Sequence, residues 1–529
     1  MSVFMKPNVF ASRLGALIVA GAADTGWGAP AEASALGRDE TVAAMHRSVT
    51  FYRTKVAVHG SYGYRISADL TRREGEQLFT PTQGWIESPG SAAVGLAYLE
   101  AFQLTREPFL IEAAVETGMA LVNGQLLSGG WCEYIEFDPA KRKRFSYRVD
   151  APATGAFTMK IAAQQPERSG FLPYDRPFDH EMNGREEPPA DVPINITTFD
   201  DDKSQGSLRF LMLLDRELKF AHAGIHAAVR YALDAFLAAQ YPNGGWPQHL
   251  RDKIVPLQPP ELQASYPESW SREHKWTGFS RYYTINDNTL RDLIRTMLLA
   301  HAIYGEKRFL EAAQRGGDFL LLAQMPEPQP AWAQQYNFAM QPAWARMFEP
   351  PAVSGGESQA VMTMLIDLAL ATGEARYLVP IPRALDYLRK SILSDGRLAR
   401  FYELRTNRPL FMTRTYQLTY DGSDVPTHYS FFSRSQLDAI AERYAGAKRQ
   451  LAADTAHRGV MNGHERTAAG PVTTREARAV IAGLDSRCAW VEQGMIRIDT
   501  KQRAEQQVIE SRTFIRNLHT LAGYAASVK

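Results

Sequence analysis

The chain has 529 residues, 45% of them hydrophobic, which is enough for one large globular domain or roughly two to three ordinary ones. Its formal net charge is only +1 at pH 7. This balance excludes the strong overall field that draws a protein to nucleic acid or to an anionic membrane, so we expect neither as a partner. A polyanionic ligand would need a local cluster of Arg and Lys. The only two cysteines, Cys132 and Cys488, leave open whether a disulfide joins them.

The sequence of residues 1–35 predicts an N-terminal segment that is not part of the folded domain. Lys6 and Arg13 precede a short apolar stretch, residues 14–23, and small residues follow it. A charged start, an apolar centre and a small-residue exit are typical of a secretory signal peptide, and an unstructured leader is the alternative. We therefore predict a secreted or periplasmic protein. No stretch of the sequence is long and apolar enough to span a bilayer.

Four stretches of the sequence share one pattern, which is a helix, a short break, a second helix and a turn. They cover residues 98–131, 208–246, 297–332 and 365–400. The second helices are amphipathic; in the last one, Ile381, Leu385 and Leu388 fall on one face. Because one such hairpin cannot bury its apolar stripe alone, neighbouring hairpins must pack side by side. The repeat predicts an all-α fold, an α/α toroid or barrel of helix hairpins with long loops at one rim.

The predicted domain boundaries follow from changes in periodicity along the chain. Residues 36–445 are predicted to form the toroid, and residues 446–529 a linker, centred on 451–470, with a helical C-terminal extension. Within the toroid, residues 134–193 and 252–281 lack helical periodicity and predict long rim loops. Functional sites are usually carried by such loops.

Four short motifs stand in a fixed order between Tyr98 and Tyr420. They are YPNGGWPQ (241–248), TINDN (284–288), PAWARMFE with SGGES (342–349 and 354–358), and RFYE with TNRP and a later arginine (400–403, 406–409 and Arg414). Any one of them is a weak signal, but the ordered set resembles the family 10 pectate lyases. The resemblance implies an α/α toroid and a polysaccharide lyase that acts on polygalacturonate, the backbone of pectin.

The reaction implied by this resemblance is a calcium-assisted anti β-elimination that yields 4,5-unsaturated oligogalacturonides. A base removes the C5 proton of a galacturonate and the C4 glycosidic bond breaks. A calcium ion on the neighbouring carboxylate withdraws charge as a Lewis acid. Because Ca²⁺ takes several oxygen ligands, carboxylates from separate loops are the expected protein contribution. Calcium is therefore the predicted cofactor, and a pectin oligosaccharide the predicted partner.

The resemblance also implies residue roles. It assigns Asp200 and Asp287 as calcium ligands, with helix capping as the alternative for each, since Asp is a preferred N-cap. It assigns Arg346 as the catalytic base. A guanidinium has a pKa above about 12, so this role needs a strongly depressed pKa or a hydroxide partner. The plainer interpretation is that Arg346 forms a structural ion pair with Glu349 or Glu357.

Substrate contacts complete the predicted site. Arg400 and Arg414 match the arginines that bind substrate carboxylates, which a planar guanidinium can grip in two places. Asn243, Trp246 and Gln335 are further candidates for sugar contacts, with core packing as the alternative for the tryptophan. The chain departs from the family pattern at residues 201–203, which read Asp-Asp-Lys, and at Thr415.

Two other classes of protein remain open from the sequence. An α/α-barrel glycoside hydrolase acting on uronides needs two carboxylates, for which Asp200 with Asp287, or Glu349 with Glu357, would serve. A non-catalytic glycan-binding protein is the other, because a fold does not fix a function. We expect a monomer in each case.

Overall fold

The computed structural model describes residues 36–151, 157–158, 192–251, 261–274, 278–453, 472–499 and 502–528. The predicted signal peptide lies outside these residues, as do most of the loop over 134–193, most of the linker over 451–470 and part of the loop over 252–281. The chain from Gly37 to Lys529 forms one compact unit. Among the helices of the described residues, none is long and apolar enough to cross a membrane.

Most of the secondary structure is α-helical, as the apolar spacing predicts. The helices are α1 (Arg38–Phe51), α2 (Ser91–Thr105), α3 (Pro108–Gly124), α4 (Pro139–Arg142), α5 (Lys203–Glu217), α6 (Ala223–Ala239), α7 (Thr289–Tyr304), α8 (Lys307–Leu322), α9 (Gly355–Thr372), α10 (Ile381–Lys390), α11 (Leu437–Ala452), α12 (Thr474–Ala482) and α13 (Ser511–Ser527).

Left-handed residues turn the chain at or just after the end of the first helix in all four hairpins; after α5 they are Lys219 and Phe220, with φ 55° and 61°. Arg106 ends α2 with φ 61°, Gly305 ends α7 with φ 72° and Gly373 ends α9 with φ 78°. This conformation closes a helix C-terminus and suits glycine, which has no Cβ to clash. The second helix therefore starts within a few residues and packs back on the first, as α3 does on α2 and α8 on α7.

The hairpins stand side by side in two layers. Helices α13, α2, α5, α7, α9 and α11 contact one another in this order, and α3, α6, α8 and α10 pack against them as a second layer. The core lies between the layers; Leu208 of α5 and Phe236 of α6, for example, are fully buried. Each such side chain contributes roughly 1.5–3 kcal/mol by leaving water. The predicted all-α toroid of helix hairpins is confirmed.

A repeated tryptophan anchors the turn after each of the first three second-layer helices. The indole nitrogens of Trp131, Trp246 and Trp332 donate to backbone carbonyls of the preceding helix, at 2.8 to 2.9 Å. All three rings are completely buried. The tryptophan turns, two of which read Gly-Gly-Trp, therefore mark the hydrophobic core.

A glutamine repeats at the same turns and ties each second-layer helix to the next. The side-chain amide of Gln125 donates to the carbonyl of Ala228 on α6 at 2.8 Å, and that of Gln240 to the carbonyl of Ala312 on α8 at 2.9 Å. Gln324 donates to the carbonyl of Pro380, just before α10, at 3.0 Å. Buried amides need such partners, so these bonds fix the spacing of neighbouring hairpins.

Short strands line the ends of the helices. They are β1 (Arg65–Ser67), β2 (Arg73–Glu74), β3 (Leu78–Phe79), β4 (Gln83–Trp85), β5 (Tyr134–Glu136), β6 (Thr197–Thr198), β7 (His249–Leu250), β8 (Tyr283–Thr284), β9 (Gln335–Tyr336), β10 (Ala352–Ser354), β11 (Arg397–Ala399), β12 (Phe401–Glu403), β13 (Pro409–Met412), β14 (Leu418–Thr419), β15 (Phe432–Arg434), β16 (Glu492–Arg497) and β17 (Arg503–Glu510).

These strands form two larger sheets and four antiparallel pairs. The five-stranded sheet has the order β16-β17-β1-β2-β3, and the four-stranded sheet has the order β10-β12-β13-β14. The pairs are β4-β5, β6-β7, β8-β9 and β11-β15. Because β17 pairs with β1 and α13 packs on α1 and α2, the C-terminal segment and the N-terminal strands share one core. Cys132 and Cys488 do not form a disulfide.

Candidate active site

Four equivalent connections meet at one rim of the toroid. Each runs from a short strand, β4, β6, β8 or β10, into a first-layer helix, α2, α5, α7 or α9. Every connection carries acidic side chains at or near the start of its helix. In chain order these are Glu87 on the first, Asp200 and Asp201 on the second, Asp287 on the third and Glu357 on the fourth.

The second and third connections have the same unusual backbone. Each is a 3-10 turn, over Asp200–Asp202 and Asn286–Asn288, and its second residue is left-handed, with φ 49° at Asp201 and φ 47° at Asp287. Helices α5 and α7 start only after these turns, and neither N-cap residue makes a side-chain capping bond. A left-handed Asp costs roughly 1–3 kcal/mol, a strain that clusters at functional sites. Capping therefore does not explain Asp200 or Asp287.

Three carboxylates face one another between these turns. Asp200, Asp201 and Asp287 each offer an oxygen, and the three oxygens lie within 4.8 Å of one another. Oδ1 of Asp200 is buried and has no hydrogen-bond partner among the residues that the structure describes. Ca²⁺ binds oxygen ligands of this kind and takes six to eight of them. The donor set therefore fits a calcium ion, with the two predicted ligands joined by Asp201.

Burial and the closeness of the three carboxylates raise the pKa of two of them. Burial, with Asp201 close by, raises the pKa of Asp200 to about 6. Burial and the neighbouring Asp200 raise the pKa of Asp287 to about 8. Both shifts follow because a carboxylate in a buried, negative environment favours its neutral form. A bound divalent cation would remove this repulsion.

Arg346 stands beside the cluster in a buried ion pair. Its Nε and Nη2 donate to the two oxygens of Glu349, at 2.8 and 2.6 Å, and Nη2 lies 3.7 Å from Oδ2 of Asp287. Burial would lower the pKa of Arg346, but Glu349 raises it well above its ordinary value. The ion pair considered as the structural alternative is therefore present. The depressed pKa that a neutral arginine base would need is not found.

Arg400 bridges the third connection, which carries Asp287, and the fourth, which carries Glu357. Its Nη2 donates to Asn286 Oδ1 at 2.8 Å, Glu357 Oε1 at 2.9 Å and Asp287 Oδ1 at 3.3 Å. Ser354 holds the other oxygen of Glu357 by a hydrogen bond. Burial would lower the pKa of Arg400, but Glu357 and its other neighbours raise it, so the guanidinium carries its charge.

Tyr429 fills the space between the two arginines. Its hydroxyl lies 2.9 Å from Glu349 Oε1 and 3.2 Å from Gln334 Oε1. The guanidinium carbons of Arg400 and Arg346 lie 4.4 and 5.6 Å from the centre of its ring. Cations over an aromatic face are held by the ring quadrupole, so Tyr429 fixes both side chains. Tyr429 is not among the residues predicted from the motifs, which end at Arg414.

Lys203 links the first and second connections. Its ammonium lies 3.1 Å from Glu87 Oε2 and 3.1 Å from Asp201 Oδ2, and its side chain is only 3% exposed. Glu76, in the turn between β2 and β3, lies in the same group, since its carboxylate, that of Glu87 and that of Asp201 each offer an oxygen within 4.8 Å of the others. Burial would lower the pKa of Lys203, but the surrounding carboxylates raise it well above its ordinary value.

The other predicted residues lie outside this cluster. Arg414 is 66% exposed and pairs with Asp424 at 3.2 Å. Trp246 is completely buried, so its ring faces core side chains and offers no face to a sugar. Asn243 accepts from the backbone of Gly245 at 3.1 Å within its turn. Gln335 is buried in β9, pairs with β8 and donates to the carbonyl of Ala343 at 3.2 Å.

The model of the pectic acid lyase family matches residues 169–395 of the chain. The match includes Asp200, Asp287 and Arg346 and ends before Arg400 and Arg414. It confirms the likeness to pectate lyases predicted from the motifs, and with it the class of enzyme, a polysaccharide lyase. No curated protein matches the chain.

Several solved structures are similar in outline. A family 10 polysaccharide lyase from Cellvibrio cellulosa is 17% identical, with a TM-score of 0.41 over 68% of this chain and 97% of that one. A mutant of that lyase, solved in complex with trigalacturonic acid, gives a TM-score of 0.40 at 17% identity, over 68% of this chain and 98% of that one. A D-mannose isomerase gives 0.41 at 11% identity, over 92% and 97% of the two chains.

Proposed function

We propose that this protein is a pectate lyase that cleaves polygalacturonate by calcium-assisted anti β-elimination to 4,5-unsaturated oligogalacturonides. The observation that carries the proposal is the meeting of Asp200, Asp287, Arg346 and Arg400 at one rim of the toroid. Asp287, Arg346 and Arg400 come from separate motifs, yet Asp287 lies within 3.7 Å of both arginines. The pectic acid lyase match over residues 169–395 supports the same conclusion.

Asp200 and Asp287 are the proposed calcium ligands, and the geometry adds Asp201 as a third. When bound, calcium would supply a Lewis acid that withdraws electron density from the substrate carboxylate and makes the C5 proton more acidic. The chain contributes the rigid placement of the donors, because two left-handed turns fix Asp201 and Asp287 before any ligand arrives. Such preorganisation lowers the cost of binding.

Arg346 is the proposed catalytic residue, and it acts in its charged form. The bidentate pair with Glu349 fixes the plane of the guanidinium, with Nη2 turned toward Asp287. A fixed cation at this point stabilises negative charge that develops on the substrate, and it also favours hydroxide over water nearby. We therefore propose that a hydroxide held by Arg346 removes the C5 proton and becomes water. The C5 electron pair forms the C4–C5 double bond, and the C4–O bond breaks with its electron pair on the oxygen, which takes a proton from water as the hydroxyl of the released sugar.

Arg400 and Arg414 are the proposed carboxylate-binding residues. Arg400 is already oriented by Asn286 and Glu357, so it needs no reorganisation. The pair of Arg414 with Asp424 is exposed at both ends, and such surface pairs are worth only about 0–1 kcal/mol. A substrate carboxylate can therefore replace Asp424 at little cost. Asn243, Gln335 and Trp246 are proposed to have structural roles, since their contacts lie within the protein.

Export follows from the proposed substrate, which lies outside the cell. We propose that residues 1–35 act as a signal peptide and that the mature chain works as a monomer on pectin.

The test is the ultraviolet absorbance of unsaturated products, measured on polygalacturonate at alkaline pH with calcium or with chelator. A calcium-dependent rise that Arg346→Ala abolishes is the expected result. Arg443→Ala is the matched control, because Arg443 pairs with Asp367, away from the acidic cluster. New reducing ends without absorbance would indicate a hydrolase. Binding without either signal would indicate a glycan-binding protein.

A further inference from the structure

The rim connections carry an alternating series of charges. Lys203 bridges Glu87 of the first connection and Asp201 of the second, and Arg400 bridges Asp287 of the third and Glu357 of the fourth. Between the second and third connections, three carboxylates face one another. We call the spaces between successive connections the first, middle and third gaps. Lys203 therefore occupies the first gap and Arg400 the third, and the middle gap is the one that suits a metal ion.

The first gap has the composition of a metal site. Glu76, Glu87 and Asp201 each offer an oxygen, and the three oxygens lie within 4.8 Å of one another, the same spacing as in the calcium cluster. Asp201 belongs to both groups. Without the ammonium of Lys203, this part of the rim would hold five neighbouring carboxylates, whose negative charge two divalent cations could neutralise. They are Glu76, Glu87, Asp200, Asp201 and Asp287.

Lys203 occupies this first gap from within the protein. Its ammonium lies 3.1 Å from one oxygen of Glu87 and 3.1 Å from one of Asp201, and the side chain is almost completely buried. The sequence places it directly after the acidic run, at the first residue of α5. Its backbone is fixed by the helix, so the cation is tethered where a free ion would bind.

We propose that Lys203 is a positioning residue that takes the place of a second divalent cation and confines calcium binding to Asp200, Asp201 and Asp287. This inference rests on the proposed calcium site. It gives the Lys of the Asp201-Asp202-Lys203 run a role, because its ammonium neutralises the carboxylate of Asp201. Lys203 also fixes the carboxylate of Asp201, a member of both carboxylate groups, through its contact with Oδ2.

The experiment counts bound calcium by isothermal titration calorimetry on the full chain. The wild type is expected to bind one ion, and Lys203→Met, which is nearly isosteric and uncharged, is expected to bind two. The double variant Glu87→Gln with Lys203→Met removes a ligand of the new site and should return to one. Lys203→Arg keeps the charge and should also bind one.

An unchanged stoichiometry of one in Lys203→Met would overturn the inference, since the ammonium would then be only an ion-pair partner. If Lys203→Met unfolds in chelator, calcium is expected to restore the fold, because a ligand that binds the native state stabilises it. Failure to fold even in millimolar calcium would also overturn the inference. If the wild type binds no calcium, the proposed function fails, but one ion gained by Lys203→Met still supports the role of Lys203.

Discussion

Nη2 of Arg346 lies 3.7 Å from Oδ2 of Asp287, so the proposed catalytic arginine and a proposed calcium ligand share one electrostatic environment. Asp287 also accepts from Arg400 at 3.3 Å. One carboxylate thus connects the metal cluster to both arginines. Because Nη2 of Arg346 lies closer to Glu349, at 2.6 Å, and Nη2 of Arg400 closer to Glu357, at 2.9 Å, neither arginine pairs with Asp287 alone. The carboxylates proposed to bind a metal ion and the guanidinium groups proposed to act on the substrate therefore lie side by side.

The first prediction concerns Arg346. Arg346→Lys keeps a positive charge but loses the planar fork that grips Glu349, so the charge moves away from the reacting centre. We expect kcat for product absorbance to fall by about 10²–10⁴-fold, the range for a group that acts on proton transfer, with a smaller change in KM. Steady-state rates on the folded fraction check this, with Arg443→Lys as control. Full activity in Arg346→Lys would contradict the assignment.

The second prediction concerns Asp287. Asp287→Asn removes one proposed ligand and relieves the repulsion that raises the pKa of Asp287 to about 8. We expect calcium affinity to fall at least about 10–100-fold, the size already seen for groups that only orient ligands. The free energy of unfolding in chelator should not fall. Calorimetric titration and urea unfolding check the two effects, and Asp234→Asn, in an exposed pair with Arg308, should change neither.

The hairpins were predictable from the sequence because their causes are local. Apolar spacing along each helix, the left-handed residue at a hairpin and the Gly-Gly-Trp turns all lie within one repeat. The meeting of Asp287, Arg346 and Arg400 was predictable only through the ordered motifs, and that of Asp200 only through the family resemblance that these motifs carry. Nothing in the spacing of these residues alone brings them to one point.

The rest of the site depends on contacts between distant parts of the chain. Glu87 meets Lys203 only because β4 and β6 lead into neighbouring helices. The sequence predicted a helical C-terminal extension. The structure instead has strands over Glu492–Arg497 and Arg503–Glu510, and the second of them pairs with β1. A tryptophan that stacks on a sugar and one in the core look alike in a sequence, and only the packing of neighbouring hairpins places Trp246 inside.

The third prediction is a pH dependence of stability. Burial would raise the pKa of Glu349, but Arg346 holds it at about 2, below its ordinary value. A depressed pKa means that the pair stabilises the fold fully above the ordinary pKa, and that this contribution is lost as pH falls toward 2. We expect the urea midpoint of the wild type to drop between pH 5 and pH 3.

Glu349→Gln is the matched control for this effect. It leaves Arg346 buried without its partner, which should lower stability at pH 7 by about 3–5 kcal/mol, and it should flatten the pH dependence below pH 5. Parallel curves for the two proteins would show that Glu349 does not titrate as described.

The fourth prediction concerns Trp246. Because its ring is buried and its indole nitrogen donates to Phe236, Trp246→Ala should lower the free energy of unfolding by about 3–5 kcal/mol. KM of the folded fraction should stay unchanged, because no sugar reaches the ring. Trp131→Ala, at the equivalent turn of the first hairpin, should show a loss of similar size. A large rise in KM with little loss of stability would instead support a sugar contact.

The last prediction concerns the C-terminal helix α13. Phe514 stacks on Tyr52 with ring centres 3.8 Å apart, and the hydroxyl of Tyr52 lies 2.7 Å from Oγ of Ser511. These contacts join α13 to α1, so a chain that ends at residue 453 would expose the apolar faces of α1 and α2. We expect this truncated chain to be unfolded or aggregated by circular dichroism and gel filtration. Phe514→Ala should show a graded loss of about 3–5 kcal/mol in urea unfolding. A soluble, active truncated chain would show instead that α13 packs on a toroid able to fold without it.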